Sequence, residues 1–112
     1  MLVMNRGEVW WVDFPNPVGG EIQKRRPCLI ISNDLSNRFL NRVQIIPLTS
    51  NIAKLQVGEA YVNIGGKPGK ALATQIQTAS KLRLLNRMGR VSDFEIEQVE
   101  KAIRIQLGMS DK

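Results

Sequence analysis

At 112 residues, 43% hydrophobic and 23% charged, the chain has the composition of a folded protein with room for one core rather than two. Sixteen Lys/Arg against ten Asp/Glu give a formal charge of +6, which favours a polyanionic partner. The absence of histidine excludes Ser-His and Cys-His nucleophile pairs and removes the commonest metal ligand and general acid-base, and the single Cys28 excludes an intrachain disulfide.

The charge is unevenly placed. Residues 1–91 carry thirteen Lys/Arg against five Asp/Glu, a net +8, whereas residues 92–107 carry two against four, a net −2. A basic body of this kind suits nucleic acid or an acidic protein segment. Cys28 lies in an apolar run, which points to packing and a reducing setting. The start, Met1-Leu2-Val3-Met4, is too short for the apolar region of a signal peptide, and no apolar run reaches membrane-spanning length. The expectation is a cytoplasmic protein without membrane contact, folded as a single domain over residues 1–112.

Taken in chain order, runs rich in Val, Ile, Trp and Tyr predict strands at Glu8–Phe14, Pro27–Asn33, Val43–Thr49, Glu59–Ile64, Ala71–Thr78 and Met88–Val91. Adjacent Trp10 and Trp11 face opposite sides of the first strand, one towards the core and one towards an interface or stacking surface. Turn-formers separate the runs at Pro15–Gly20, Asp34–Asn41 and Gly65-Gly66-Lys67-Pro68-Gly69. Asp34 is expected to cap a short helical turn. This spacing predicts a mainly β protein, a compact antiparallel barrel over about residues 5–91. Ser92 and Glu95 then form a capping box, Ile96, Val99, Ile103 and Leu107 share one face, and Gly108 is a stop, so an amphipathic helix is expected over about 92–107. Glu97/Lys101 and Glu100/Arg104 have the spacing of helical ion pairs.

The segment from Gly19 to Ser32 runs from a flexible Gly-Gly pair through Lys24, Arg25 and Arg26 into an apolar strand. Arg26 is the strongest candidate for a phosphate ligand, because guanidinium offers a planar fork of donors and the following strand restrains it. A surface arginine at a strand edge is the competing reading. Glu21 can fold back towards Arg26 as a general base, or be a solvated carboxylate. Thr49 and Ser50 end a strand with two hydroxyls that can donate to phosphate, which is also ordinary turn chemistry. Lys81, Arg83, Arg87 and Arg90 add charge that can track a nucleic-acid backbone or simply solvate the surface.

Several segments occur here in one order: Arg6-Gly7-Glu8-Val9-Trp10-Trp11-Val12-Asp13-Phe14, Gly20-Glu21 then Arg26-Pro27, Ile31-Ser32-Asn33-Asp34, Pro47-Leu48-Thr49-Ser50 and Gln75-Ile76-Gln77-Thr78. In this the chain resembles the MazF/PemK toxins of bacterial toxin–antitoxin systems over nearly its whole length. The resemblance implies an SH3-like barrel with a carboxy-terminal helix, a homodimer, and a ribonuclease needing no metal or cofactor. Such an enzyme cuts single-stranded messenger RNA at short motifs, leaving a 2′,3′-cyclic phosphate and a 5′-hydroxyl. It implies that Glu21 deprotonates the 2′-hydroxyl, Arg26 stabilises the charged phosphorane and Thr49 holds the scissile phosphate. Help from Arg26 in protonating the leaving oxygen is a further implied role, but arginine's pKa above ~12 makes it a poor proton donor, which weights electrostatic stabilisation over acid catalysis. Gly20, Lys24, Arg25, Ser50, Thr74, Gln75, Gln77 and Lys81 are the accompanying candidates for RNA contact. A small antitoxin with an acidic, partly disordered segment is implied as a partner.

Thr74 stands where several members of that family carry an acidic residue, and Ser80 where an aspartate is common, which bears on cleavage preference and on a local hydrogen bond. The same barrel also hosts protein-binding inhibitors of DNA gyrase; here the end Gln106–Lys112 lacks the aromatic residue expected of such a binder. A non-catalytic RNA-binding barrel is the third reading.

Overall fold

A computed structural model describes residues 3–14, 19 and 25–110. Its strands are β1 (Glu8–Asp13), β2 (Arg25–Ile30), β3 (Arg42–Thr49), β4 (Glu59–Ile64), β5 (Lys67–Leu72), β6 (Gln77–Ser80) and β7 (Leu84–Arg90). They form one sheet of order β4-β5-β3-β2-β1-β7, with β6 paired to β3 and every pairing antiparallel. The sheet curls until its two ends meet, where a side chain added at Gly89 in β7 would lie 3.4 Å from Ile64 Cγ2 in β4. The result is a half-barrel with a helix, the predicted mainly β class.

Strand β3 organises the sheet by changing neighbours along its length. Cys28–Ile30 of β2 pair with Ile45–Pro47, whereas β6 and β5 pair with Arg42–Ile45 and with Leu48 and Thr49 respectively. The single strand expected over Ala71–Thr78 is therefore two. Ile45 to Leu48 is three steps of β3, but the facing chain takes six steps from Gln77 back to Ala71, and the surplus coils into a 3-10 turn at Ala73–Gln75. The Gly65–Gly69 stretch also differs from expectation. Gly65 and Gly66, with φ of 58° and 86°, make the two-residue hairpin turn that fits twisted strands, so β5 resumes at Lys67 and includes Pro68 and Gly69.

Alternation along the central strands splits the interior into two cores. Val9, Leu29, Ile46 and Leu48 pack with Ile96, Val99 and Ala102 of the helix α2 (Asp93–Gln106) on one side. Trp10, Val12, Cys28, Ile30, Val43 and Ile45 pack with Met4, Phe14 and Leu84 on the other. The Ser92–Glu95 capping box forms as expected, and Gly108 ends the helix region with φ 70°. The buried stripe shifts slightly: Ala102 replaces Leu107, which is mostly exposed. Glu100 reaches Arg6 at 2.7 Å, tying α2 to the start of the chain.

The short helix α1 (Asp34–Phe39) is capped by Asn33, whose Oδ1 accepts from the Ser36 amide at 2.9 Å, rather than by Asp34. Asp34 instead accepts from the Arg6 amide at 2.6 Å. That bond, helped by Asn37 and the charges of Arg90 and Arg38 against a burial penalty, holds its carboxyl below the usual range.

Glu8 is the buried charge that fixes β1. Its Oε1 accepts from the Asn5 amide at 2.9 Å and from the Trp10 indole at 3.0 Å, and its Oε2 lies 3.1 Å from Arg87 Nε. Burial pushes its pKa up, but the Asn5 and Trp10 hydrogen bonds and the Arg87 charge together bring it below the ordinary value. A lowered folded-state pKa means stability present above the unfolded value of ~4.3 and lost as pH falls through the folded value. Glu8→Gln is expected to cost about 1–3 kcal/mol at pH 7. Denaturant titrations should show the gap between the two proteins shrinking below about pH 4.3.

Candidate functional site

Beyond Pro47, β3 leaves β2 to pair with β5, and the gap opened there is a cavity. The β2–β3 pairing ends at Cys28 and Pro47, and Arg26 and Thr49 each lie two residues beyond it on the parting strands. Both line the cavity, whose volume is about 350 Å³. Arg25, Ser50 and Lys67 complete its polar rim, while Trp11, Leu48, Val62, Ile64 and Met88 supply apolar walls. Trp10 is in the core and Trp11 in the cavity wall, which assigns the two faces expected of the pair.

Arg26 has donors to spare. Its Nε is buried and has no hydrogen-bond partner among the described residues. Arg25 is mostly exposed and lies 3.8 Å from Asp13, too far for a hydrogen bond. Thr49 Oγ1 accepts from the Asn51 amide at 3.2 Å, which leaves the hydroxyl proton available to donate elsewhere. Close approach of β5 supports that position: a Cβ on Gly69 would stand 2.9 Å from the Thr49 carbonyl oxygen, closer than such contacts occur. Three cations and two hydroxyls around one apolar-walled cavity can hold a phosphodiester beside a base. Cys28, two residues along from Arg26, contributes no nucleophile, since burial pushes its thiol well above the ordinary pKa despite the Arg26 charge.

The other expected RNA contacts fall elsewhere. Gly20, Glu21 and Lys24 lie outside the described residues. Thr74 and Gln75 are in the 3-10 turn and Gln77 opens β6, so none of them lines this cavity. Ile76, between the two glutamines, lines a separate open groove of about 550 Å³ with Gln44, Arg6 and Arg104. Lys81 donates from Nζ to the Asn37 carbonyl and borders a small cavity beside α1, away from Arg26. Ser80, the second departure from the family pattern, caps the next turn by accepting from the Leu82 amide at 3.2 Å. Lys67 and Met88 were not singled out by sequence reasoning; the Gly65-Gly66 turn was the signal that a hairpin would carry Lys67 back to the site.

Among the described residues, no helix is long and apolar enough to cross a membrane and no three His, Cys, Asp or Glu side chains group as a metal site. The family model of the PemK-like, MazF-like toxin of type II toxin–antitoxin systems matches residues 5–107. Endoribonuclease MazF9 of Mycobacterium tuberculosis is 36% identical over 96% of this chain and 98% of its own length. Endoribonuclease EndoA of Bacillus subtilis is 30% identical over 98% and 99%. Among solved structures, MazF from Deinococcus radiodurans superposes with a TM-score of 0.84 at 25% identity, covering 97% of this chain and 100% of its own. A mycobacterial endoribonuclease solved in complex with its cognate antitoxin has the same fold, with a TM-score of 0.76 at 24% identity and full coverage of both chains.

Proposed function

The chain belongs to the PemK-like, MazF-like toxins of type II toxin–antitoxin systems, and from that membership we propose that it is an endoribonuclease cutting single-stranded messenger RNA without a metal ion. The observation that carries this reading is the meeting of Arg26 and Thr49 at one cavity. In the reaction, a ribose 2′-oxygen bonds to the adjacent phosphorus and the bond from phosphorus to the 5′-oxygen breaks. The products are a 2′,3′-cyclic phosphate and a 5′-hydroxyl. Glu21 takes the proton of the 2′-hydroxyl, and a solvent water protonates the departing 5′-oxygen. Arg26 keeps its proton and offsets the charge that builds on the phosphorane oxygens, while the Thr49 hydroxyl holds the phosphate in line. Glu21 enters by its place in the sequence resemblance alone.

The protein acts in the cytoplasm as a homodimer of single-domain subunits. Exposed Leu35 and Phe39 on α1 support burial of that face against another subunit. Its second partner is an antitoxin with an acidic segment, a reading supported by the net +8 of residues 1–91 and by the antitoxin complex of the mycobacterial endoribonuclease.

Digesting a long RNA with the purified protein in EDTA and mapping the new 5′ ends tests this. Discrete 5′-hydroxyl ends at a recurring motif are expected. Intact RNA, or cleavage abolished by EDTA, would contradict it.

A further inference from the structure

Lys70 is a buried lysine in β5. It is 5% exposed, and its Nζ donates to Glu59 Oε1 at 2.7 Å and to the Lys54 carbonyl at 2.8 Å. Glu59 Oε1 accepts in turn from the Gln56 amide at 2.9 Å. One ion pair thus grips two backbone groups of the segment joining β3 to β4. A buried ion pair is commonly no more stabilising than apolar residues of the same size, so stability alone gives little reason for it.

Its place in the sheet gives a better one. Thr49 pairs with Lys70 and Lys70 with Tyr61, so the three side chains stand in one row on one face of β3, β5 and β4. Tyr61 Oη donates to the Ile52 carbonyl at 3.4 Å, and the Asn51 amide donates to Thr49 Oγ1. The far end is fixed at Gly58, whose carbonyl accepts from the Ala73 amide at 2.9 Å. Between these anchors Lys54, Leu55 and Val57 are exposed, in the segment that directly follows Thr49 and Ser50 of the cavity in the chain.

We propose that the Lys70–Glu59 pair is a positioning device for RNA recognition, holding in one conformation residues 51–58, the segment that leads out of the phosphate-holding Thr49 and Ser50. Through the Asn51 amide it fixes the direction of the Thr49 hydroxyl, and through the exposed side chains of the segment it sets which bases the site accepts. This rests on the endoribonuclease reading.

The test compares the wild type with Glu59→Gln/Lys70→Met, which removes both charges and orphans neither. The double variant is expected to stay folded and to exchange the amide protons of residues 53–57 faster. It should cut at a broadened set of motifs, with KM raised about tenfold and kcat changed less. Glu59→Gln alone keeps an acceptor oxygen in place and should shift the same quantities less, and it serves if the double variant does not fold. A folded variant that cuts the wild-type motif with wild-type kcat/KM would overturn the proposal, as would unchanged amide exchange over 53–57. A wild type that leaves every RNA intact would count against the endoribonuclease reading instead, and the exchange comparison would still decide whether the pair holds the segment.

Discussion

Arg26→Ala is expected to lower RNA cleavage by about a thousandfold in kcat/KM, the loss typical of removing a charged donor from a phosphoryl transition state. The side chain sits at the cavity rim, half-buried, with its Nε unspent on any described residue. Among the described residues its side chain has no hydrogen-bond partner to orphan, so the stability change on truncation should stay within about 1 kcal/mol. Arg26→Lys should recover little, because a single ammonium cannot span two phosphate oxygens as the guanidinium fork does. Single-turnover rates together with a melting curve separate the two effects. A variant that melts normally yet cleaves within a few-fold of wild type would remove Arg26 from the reaction.

Leu29→Ala is expected to cost about 2–5 kcal/mol, a large share of the stability of a domain this size. Leu29 is completely buried, faces Val9 across β1 and Ile46 across β3, and belongs to the core that α2 covers. Three strands meet at it, so surrounding side chains have little freedom to close the cavity left behind. The midpoint of a denaturant titration reads the loss directly, with the slope unchanged. A cost under 1 kcal/mol would mean that this core is less tightly packed than its complete burial indicates.

Strand β1 and helix α2 were legible in the sequence because their burial follows the periods of the backbone, whereas β7 starts at Leu84 rather than the expected Met88 and is exposed over most of its length. Trp10 and Trp11 had to part, and the Ser92–Glu95 box had to start a helix. Periodicity does not record a change of partner. The break between β5 and β6 arises because β3 exchanges neighbours, a fact about pairing that Ala71–Thr78 does not contain. Asn33 and Asp34 are both good caps, and only the approach of the Arg6 amide assigns Asp34 elsewhere.

The candidate site divides in the same way. Chemistry singled out Arg26 and Thr49, the family resemblance gave them roles, and register explains why residues 23 positions apart in the chain share a cavity. The Lys70–Glu59 pair was not legible, since charged residues in strands ordinarily read as solvated and nothing local shows that this face lies beneath a folded-over segment. Lys81 attracted attention by charge, but its ammonium is engaged with the Asn37 carbonyl.

Attack of the 2′-hydroxyl on the adjacent phosphorus can be read from a matched pair of oligonucleotides. Both carry a mapped cleavage motif, and one has a single 2′-deoxy nucleotide immediately 5′ of the cut. Loss of this one oxygen is expected to abolish cleavage at that bond while both oligonucleotides bind with similar affinity. Cleavage of the deoxy substrate at the same position would contradict it.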